Sequence, residues 1–250
     1  MPGSPFRLEA IAHDGPIVRG PRATYWENKW LRAPAIPTLI LVFFAADTVL
    51  GAAYICNFWA GEPSEWLSHQ LDLDGEANLP TWYSSIKWFC VAALFAIIAL
   101  SNGQRTPAKS WPVMGLALLF LALSLDEVAG IHEWLGRQSD ALLPNGTRAH
   151  TIFETTGIWI VLAAPFGLIL GGLTIRARHY FTRDLSARAK FIFGMALFLF
   201  GALAIEMVSN FIAYNVYLVF AEELSEMLGS TIVLWGIYEL MHARLCSPRN

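Results

Sequence analysis

Long apolar runs alternate with short polar stretches along the chain from about residue 35 onward. A helix of about 20 apolar residues is long enough to cross roughly 30 Å of bilayer hydrocarbon. The pattern therefore predicts an all-α, polytopic integral membrane protein built as a bundle of about six transmembrane helices. We expect these helices near Ala35 to Asn57, Ser84 to Ser101, Trp111 to Trp134, Thr151 to Ile175, Ala189 to Ala213 and Val216 to Ala243.

Composition agrees with this fold class, because 55% of the residues are hydrophobic, only 15% are charged and the mean hydropathy is +0.46. The proline-rich residues 1–34 predict an extended arm that ends in an interfacial helix within the sequence RATYWENKWLRA. The predicted organisation is a cytoplasmic arm at 1–34, a transmembrane domain at 35–245 and a cytoplasmic tail at 246–250.

The distribution of basic residues predicts the orientation. Lys and Arg concentrate in the arm, in the second and fourth connections and in the tail, and short basic flanks stay in the cytoplasm. The first outer loop, 58–86, is acidic and has no Lys or Arg. We therefore expect both termini in the cytoplasm. The expected location of the protein is the inner membrane of a bacterium. A bilayer is the expected partner and nucleic acid is not.

Ionisable residues interrupt several of the apolar runs, most visibly in the stretch LSLDEVAGIHEWLG. With the predicted orientation, four helices deliver such residues to one layer in the outer half of the membrane. The layer comprises Asp126, Glu127, His132 and Glu133 on the third helix, His150 and Glu154 on the fourth, Glu206 on the fifth, and Glu222, Glu223 and Glu226 on the sixth.

Helical spacing places these residues on common faces. Asp126 and Glu133 are seven residues apart and are expected to align, and Glu222 and Glu226 are four residues apart. An ionised side chain at membrane depth costs roughly 2.5 to 3.5 kcal/mol unless it has a partner or faces water. The carboxylates should therefore face one another, and protons or bound cations must offset their repulsion.

The layer predicts a divalent metal site that holds one ion or two. Oxygen ligands with one or two imidazoles suit iron, manganese or zinc. The expected ligands are Asp126, His132, Glu133, His150, Glu154, Glu206, Glu223 and Glu226. The arrangement is similar in principle to that of soluble four-helix proteins with carboxylate-bridged metal pairs, but the layer lacks their Glu-x-x-His motif. The chain's Glu-x-x-His, Glu239 with His242, lies at the opposite end of the sixth helix.

Two functions follow from such a layer. The first is a membrane metalloenzyme, a hydrolase or an oxidoreductase, that acts on a lipid or another hydrophobic substrate, with Glu127 and Glu222 as general acid or base. The second is a proton- or cation-coupled transporter that uses the same carboxylates. A transporter would need further polar side chains along a path from the layer to the cytoplasmic face. The sequence offers only Asp47, Glu239 and His242 for such a path.

Several further residues carry structural expectations. Asp47 is mid-span and either bonds to a neighbouring helix or joins the acidic layer from below, and Glu239 is expected in a salt-bridged helix end near Arg244. Cys56 and Cys90 are expected to be buried free thiols, with a disulfide as the alternative.

Loop and packing features complete the sequence predictions. We expect Ser64 to cap a short helix in the outer loop and residues 72–76 to form a solvated acidic turn. We also expect Gly167, Gly171 and Gly172 to allow close helix packing.

Overall fold

The computed structural model describes residues 36–103, 107–143, 146–149, 151, 154, 158–182, 184–209, 211–212 and 215–245. Within these ranges all regular secondary structure is helical, which confirms the predicted all-α class. The predicted arm at 1–34 and tail at 246–250 lie outside the described residues.

The helices have the following bounds. They are α1 (Thr38–Trp59), α2 (Glu65–Leu71), α3 (Leu79–Gly103), α4 (Pro107–Ala129), α5 (Ile131–Ser139), α6 (Trp159–Phe181), α7 (Leu185–Leu199), α8 (Glu206–Ser209) and α9 (Val216–Leu245). A π-helical segment, Phe200–Ile205, joins α7 to α8. Among the described residues, four stretches are long and apolar enough to cross a membrane: Thr38–Trp59, Leu79–Ser101, Ser110–Ala129 and Leu185–Ser209.

Two of the helix ends correct the sequence predictions. The third predicted helix does not continue to Trp134, because α4 ends at Ala129 and a separate helix starts at Ile131. The fourth does not begin at Thr151, because α6 starts only at Trp159. As a result, the alignment expected for Asp126 and Glu133 on one continuous helix is wrong, and Glu154 does not lie in the first turns of a helix.

The core forms where α3, α4, α7 and α9 pack together. Aromatic rings from three of these helices interlock, with Phe120 stacked between Trp88 and Phe95 at centroid distances of 5.4 and 5.6 Å. Phe191 and Phe198 of α7 meet the α3 rings edge to face. This packing fixes the positions of the helices that carry the acidic residues.

A pair of serines joins α3 and α4 close to the acidic end of α4. The Ser85 hydroxyl donates to the Ser124 carbonyl at 2.7 Å, and the Ser124 hydroxyl donates to the Ser85 carbonyl at 2.9 Å. Because both hydroxyls are satisfied internally, they are tolerated in the buried interface. They fix the register of Asp126 and Glu127 against α3.

Close helix packing uses glycines other than those expected from the sequence. A Cβ atom at Gly229 of α9 would lie 2.6 Å from the Phe198 nitrogen, and one at Gly194 of α7 would lie 2.7 Å from the Gly229 oxygen. The backbones of α7 and α9 therefore touch at these positions. By contrast, a Cβ at Gly167, Gly171 or Gly172 meets no atom of the described residues within 4 Å, so the close packing predicted for these three is wrong for this part of the chain.

A buried ion pair connects α1, α3 and α9. Lys87 and Asp47 are both 0% exposed, and the Lys87 Nζ lies 2.9 Å from Asp47 Oδ1. Tyr83 donates to the same oxygen at 2.8 Å, and Thr231 donates to Asp47 Oδ2 at 2.7 Å. Lys87 also donates to the Met227 carbonyl at 2.9 Å. Asp47 therefore bonds to neighbouring helices, which is one of its two expected roles.

The remaining expectations have mixed outcomes. Glu239 forms a salt bridge with Lys190 at 2.9 Å, which confirms the expected salt-bridged helix end. The Ser64 cap is confirmed, because its hydroxyl accepts a hydrogen bond from the Leu67 amide at 3.4 Å. Cys56 and Cys90 are free, as expected, but Cys56 is exposed and Cys90 only partly buried.

We predict that Asp47→Asn lowers the free energy of unfolding by about 3 to 5 kcal/mol, because it leaves the Lys87 ammonium buried without its counter-charge. Glu65→Gln removes an exposed carboxylate from α2 and serves as the control, with an expected change within about 0.5 kcal/mol. Denaturant titration in detergent micelles measures both variants. Equal stability of the two would contradict the role assigned to the ion pair.

Candidate metal site

A large cavity lies at the end of the bundle where α4 ends and α9 begins. Its volume is ≈ 1280 Å³. The cavity is lined by residues of the loop before α3, of the start of α3, and of each of the helices α4 through α9. Its acidic lining residues are Asp74, Glu76, Asp126, Glu127, Glu133, Asp140, Glu206, Glu222, Glu223 and Glu226. Residues from separate helices thus converge on one space.

The break between α4 and α5 aims His132 back toward α4. Gly130 adopts a φ of 53°, in the left-handed region that glycine enters without steric cost, and the chain turns there. Asp126 Oδ1 then accepts a hydrogen bond from the His132 amide at 2.8 Å, and Asp126 Oδ2 lies 2.9 Å from His132 Nδ1. One carboxylate therefore fixes both the start of α5 and the orientation of the imidazole.

His132 lies within reach of two further carboxylates. One ring nitrogen of His132 and one carboxylate oxygen each from Glu76 and Glu133 all lie within 4.8 Å of one another. Two carboxylates and an imidazole are a ligand set that binds divalent iron, manganese or zinc. These three residues, hereafter the trio, are the group within the described part of the chain whose geometry fits a metal ion.

The loop before α3 delivers Glu76. The buried Asn78 organises it, donating to the carbonyls of Asp72 at 2.6 Å and Gly75 at 2.8 Å. The Glu76 carboxylate lies over Gly130, where a Cβ atom would be only 3.1 Å from Glu76 Oε2. A side chain at position 130 would therefore crowd the Glu76 carboxylate.

Electrostatic effects are strong around the trio. Burial raises the pKa of Glu76, and the nearby Glu133 raises it further. Burial by itself lowers the pKa of His132, but the hydrogen bond and charge of Asp126 outweigh it, so the pKa is raised above its ordinary value. Arg137 donates to Glu133 at 3.0 Å and offsets part of the negative charge.

A second acidic group lines the same cavity. It consists of Glu127 on α4, Glu206 on α8, and Glu222, Glu223 and Glu226 on α9. Glu222 is only 8% exposed, and its carboxyl group is hydrogen-bonded to Glu206. Glu127 has the Trp88 side chain as a hydrogen-bond partner.

The π-helical segment brings α8 to this second group. A Cβ atom at Gly201 would lie 2.8 Å from both the Glu222 carbonyl oxygen and Glu226 Cγ, so the segment packs directly on α9. A π-helical turn within an α-helix rotates the side chains that follow it about the helix axis. Such turns are frequent at functional sites. Here the residue that follows directly is Glu206.

Most of the sequence-predicted site residues meet in the cavity. Those found in its lining are Asp126, Glu127, His132, Glu133, Glu206, Glu222, Glu223 and Glu226. Glu154 is exposed in a turn and is not among the lining residues. His150 lies outside the described residues.

Sequence reasoning missed Asp74 and Glu76, which it placed in a solvated turn. Burial raises the pKa of Asp74, and Asp72 adds to the rise, so this part of the turn is not simply solvated. The available signal was the acidic sequence DLDGE directly before α3. Its position along the chain did not indicate that the loop folds over the end of α4.

Comparison with known proteins gives a family and no function. A family model described as Domain of unknown function (DUF8692) matches residues 38–241. That range contains all ten residues that the sequence predicts for the site. No curated protein and no solved structure matches the chain.

We predict that Asp126→Asn lowers the pKa of His132. The amide oxygen can still accept from the His132 backbone, but the largest of the contributions that raise the pKa is lost and only the charges of Glu127 and Glu133 oppose the effect of burial. In the wild type, the pair stabilises the fold fully below the unfolded-state pKa of about 6.5, and this stabilisation is lost as the pH rises through the raised folded-state pKa. Histidine NMR titration of metal-free protein measures the shift.

Glu65→Gln removes the same charge outside the cavity and is the matched control for this titration. Its His132 pKa should equal that of the wild type. An unchanged or raised His132 pKa in Asp126→Asn would show that Asp126 does not control the imidazole.

Proposed function

We propose that this chain, which belongs to the family described as Domain of unknown function (DUF8692), is a membrane-embedded metalloenzyme that acts on a lipid or another hydrophobic substrate. The observation that carries the proposal is the trio, because a histidine and two carboxylates from different segments approach one point beside a large cavity. Acidic residues alone are common on protein surfaces. A histidine oriented among them by another carboxylate is typical of metal sites.

The trio supplies the ligands in this proposal. With Nδ1 directed at Asp126, His132 offers Nε2 to the ion, and Glu76 and Glu133 each offer an oxygen. Asp126, expected from the sequence as a ligand, becomes the residue that positions His132. Iron, manganese and zinc all suit this donor set.

The second acidic group supplies proton transfer. A bound divalent ion would polarise a substrate oxygen or lower the pKa of a water molecule. Glu127 and Glu222 line the same cavity from α4 and α9, and we assign general acid and base roles to them. Trp88 neighbours Glu127, and Glu206 neighbours Glu222.

The proposal includes the membrane topology. In addition to the four candidate spans, α6 and α9 have 23 and 30 residues, enough to cross a bilayer, and we propose them as the remaining two. The basic residues Arg176, Arg178 and Arg188 lie near the turn between α6 and α7, and they support our proposal that this end of the bundle is cytoplasmic. The cavity then opens in the outer half of a bacterial inner membrane.

A cation-coupled transporter remains the second candidate, and the Lys87–Asp47 pair is the observation that favours it. The pair is fully buried, and the charge of Lys87 acts on Glu127 and Glu223 of the cavity lining. Further along, however, buried apolar side chains such as Val233, Leu234 and Ile237 occupy α9. The described residues thus favour a site with access from one side.

Metal analysis of the purified protein tests the proposal. We expect stoichiometric iron, manganese or zinc in the wild type and a fall of at least about tenfold in affinity for His132→Ala and Glu76→Gln, since each removes one direct ligand. His69→Ala and Glu65→Gln are matched controls, because both residues are exposed on α2. They should retain wild-type metal content.

Two results would contradict the metalloenzyme. One is wild-type protein that binds no divalent ion when equilibrated with iron, manganese or zinc. The other is metal content that is equal in His132→Ala and His69→Ala. Proton-driven uptake of a cation by vesicles containing the metal-free protein would favour the transporter instead.

A further inference from the structure

An arginine and a tryptophan meet on the protein surface at the end of α4 that is remote from the cavity. The Arg176 guanidinium of α6 lies over the Trp111 ring of α4, with Cζ 5.3 Å from the ring centroid. Trp111 belongs to the first two turns of α4 and Arg176 to the last two turns of α6. Trp111 is 48% exposed and Arg176 is exposed as well. Both side chains are therefore accessible to a ligand from outside the bundle.

This contact continues the packing between α4 and α6. Leu173 packs against Gly115, where a Cβ atom would lie 2.9 Å from Leu173 Cδ2. Leu173 and Arg176 are three residues apart and Trp111 and Gly115 are four apart, so each pair shares one face of its helix. The helix packing therefore sets the backbone of Arg176 opposite Trp111.

Arg176 has no counter-charge in the part of the chain that the structure describes. The ion pairs formed there do not include it. Two carboxylates near the same end have other partners, since Asp184 accepts from the Ala187 amide at 3.0 Å and Glu239 accepts from Lys190 at 2.9 Å. An aromatic ring attracts a guanidinium without using an oxygen acceptor, so the N–H groups of Arg176 remain available to an anion.

The surface of α6 next to Arg176 suits a hydrocarbon chain. Gly172 and Ile169 precede Arg176 by four and seven residues, so they lie on the same face of α6. Gly172 is exposed and Ile169 is 54% exposed. A Cβ atom placed at Gly172 meets no atom of the described residues within 4 Å. A chain attached to an anion at Arg176 therefore has an open, apolar surface to lie along.

From these observations we infer that Arg176 and Trp111 bind the phosphate group of an anionic phospholipid, whose acyl chain lies along Gly172 and Ile169. A guanidinium binds phosphate through two parallel N–H···O bonds, and the ring contact holds it ready to do so. A zwitterionic lipid carries its own cation beside the phosphate and gains less from the arginine.

The inference goes beyond the proposed enzyme and uses only its topology. That topology puts this end of the bundle at the cytoplasmic leaflet, where anionic lipids create a negative surface potential.

Native mass spectrometry of the purified protein in detergent micelles tests the inference. The protein is titrated with phosphatidylglycerol and with phosphatidylcholine of the same acyl chains, in about 0.15 M salt. We expect the wild type to bind phosphatidylglycerol at least about tenfold more tightly than phosphatidylcholine. Arg176→Gln should lower the affinity for phosphatidylglycerol by at least about tenfold, because it removes the charge-assisted bonds to the phosphate.

Arg178→Gln is the matched control. It removes the same charge from another exposed position of α6, about 200° around the helix axis from Arg176. Its affinity for phosphatidylglycerol should change by less than about twofold, since exposed charges away from the site are screened by salt.

Two further variants test the ring without changing any charge. Trp111→Leu should lower the affinity for phosphatidylglycerol by about two- to fivefold, and Trp111→Tyr should bind like the wild type because it keeps an aromatic face. This pair keeps the test decisive should Arg176→Gln fail to fold. Circular dichroism establishes that each variant is intact.

Equal losses in Arg176→Gln and Arg178→Gln would overturn the inference, because they would indicate a general attraction to surface charge. Equal affinity of the wild type for the two lipids would overturn it too. So would displacement of phosphatidylglycerol by inorganic phosphate at the same concentration, which would indicate a site for the free ion.

The outcomes for the metal are separate. Lipid binding that depends on Arg176, in a protein that binds no metal, would support the lipid site and contradict the metalloenzyme. Metal binding that depends on His132, in a protein without the lipid preference, would do the reverse.

Discussion

The cost of placing charge in an apolar environment governs this structure. An ionised side chain at membrane depth must have a partner or face a polar cavity, and the protein uses both solutions. Asp47 and Lys87 are fully buried and satisfy each other, with help from Tyr83 and Thr231. The carboxylates of the second acidic group converge on a cavity instead. The pair holds the helices together, and the cavity is where chemistry can occur.

Two departures from regular α-helix give the cavity its shape. The left-handed Gly130 ends α4 and turns His132 back onto Asp126, while the π-helical segment packs on α9 and precedes Glu206. Both departures lie at the same end of the bundle as the acidic residues. A regular continuation of α4 would have carried His132 and Glu133 further along the axis of α4, without the turn at Gly130 that brings His132 back to Asp126. Local backbone geometry thus directs His132 toward Asp126 and brings Glu206 to the lining of the same cavity.

The sequence predicted the helical class and the convergence of acids from α4, α8 and α9, because burial of charge leaves few alternatives. It did not predict the helix break, since helical periodicity alone carries Asp126 and Glu133 onto one face and a single Gly in an apolar run is tolerated by many helices. Glu76 was missed because its loop folds over Gly130 through long-range contacts. The partner of Asp47 was missed because Lys87 is distant in sequence and satisfies it only across helices.

The central claim is that carboxylates from separate segments and one histidine share a metal ion. Crystals soaked in manganese or zinc, measured at the absorption edge of the metal, test it most directly. The account predicts an anomalous peak within bonding distance of His132 and of oxygens from Glu76 and Glu133, at about 2.0 to 2.2 Å for zinc. Ordered side chains of these three residues with no peak between them, or a peak elsewhere on the protein, would contradict it.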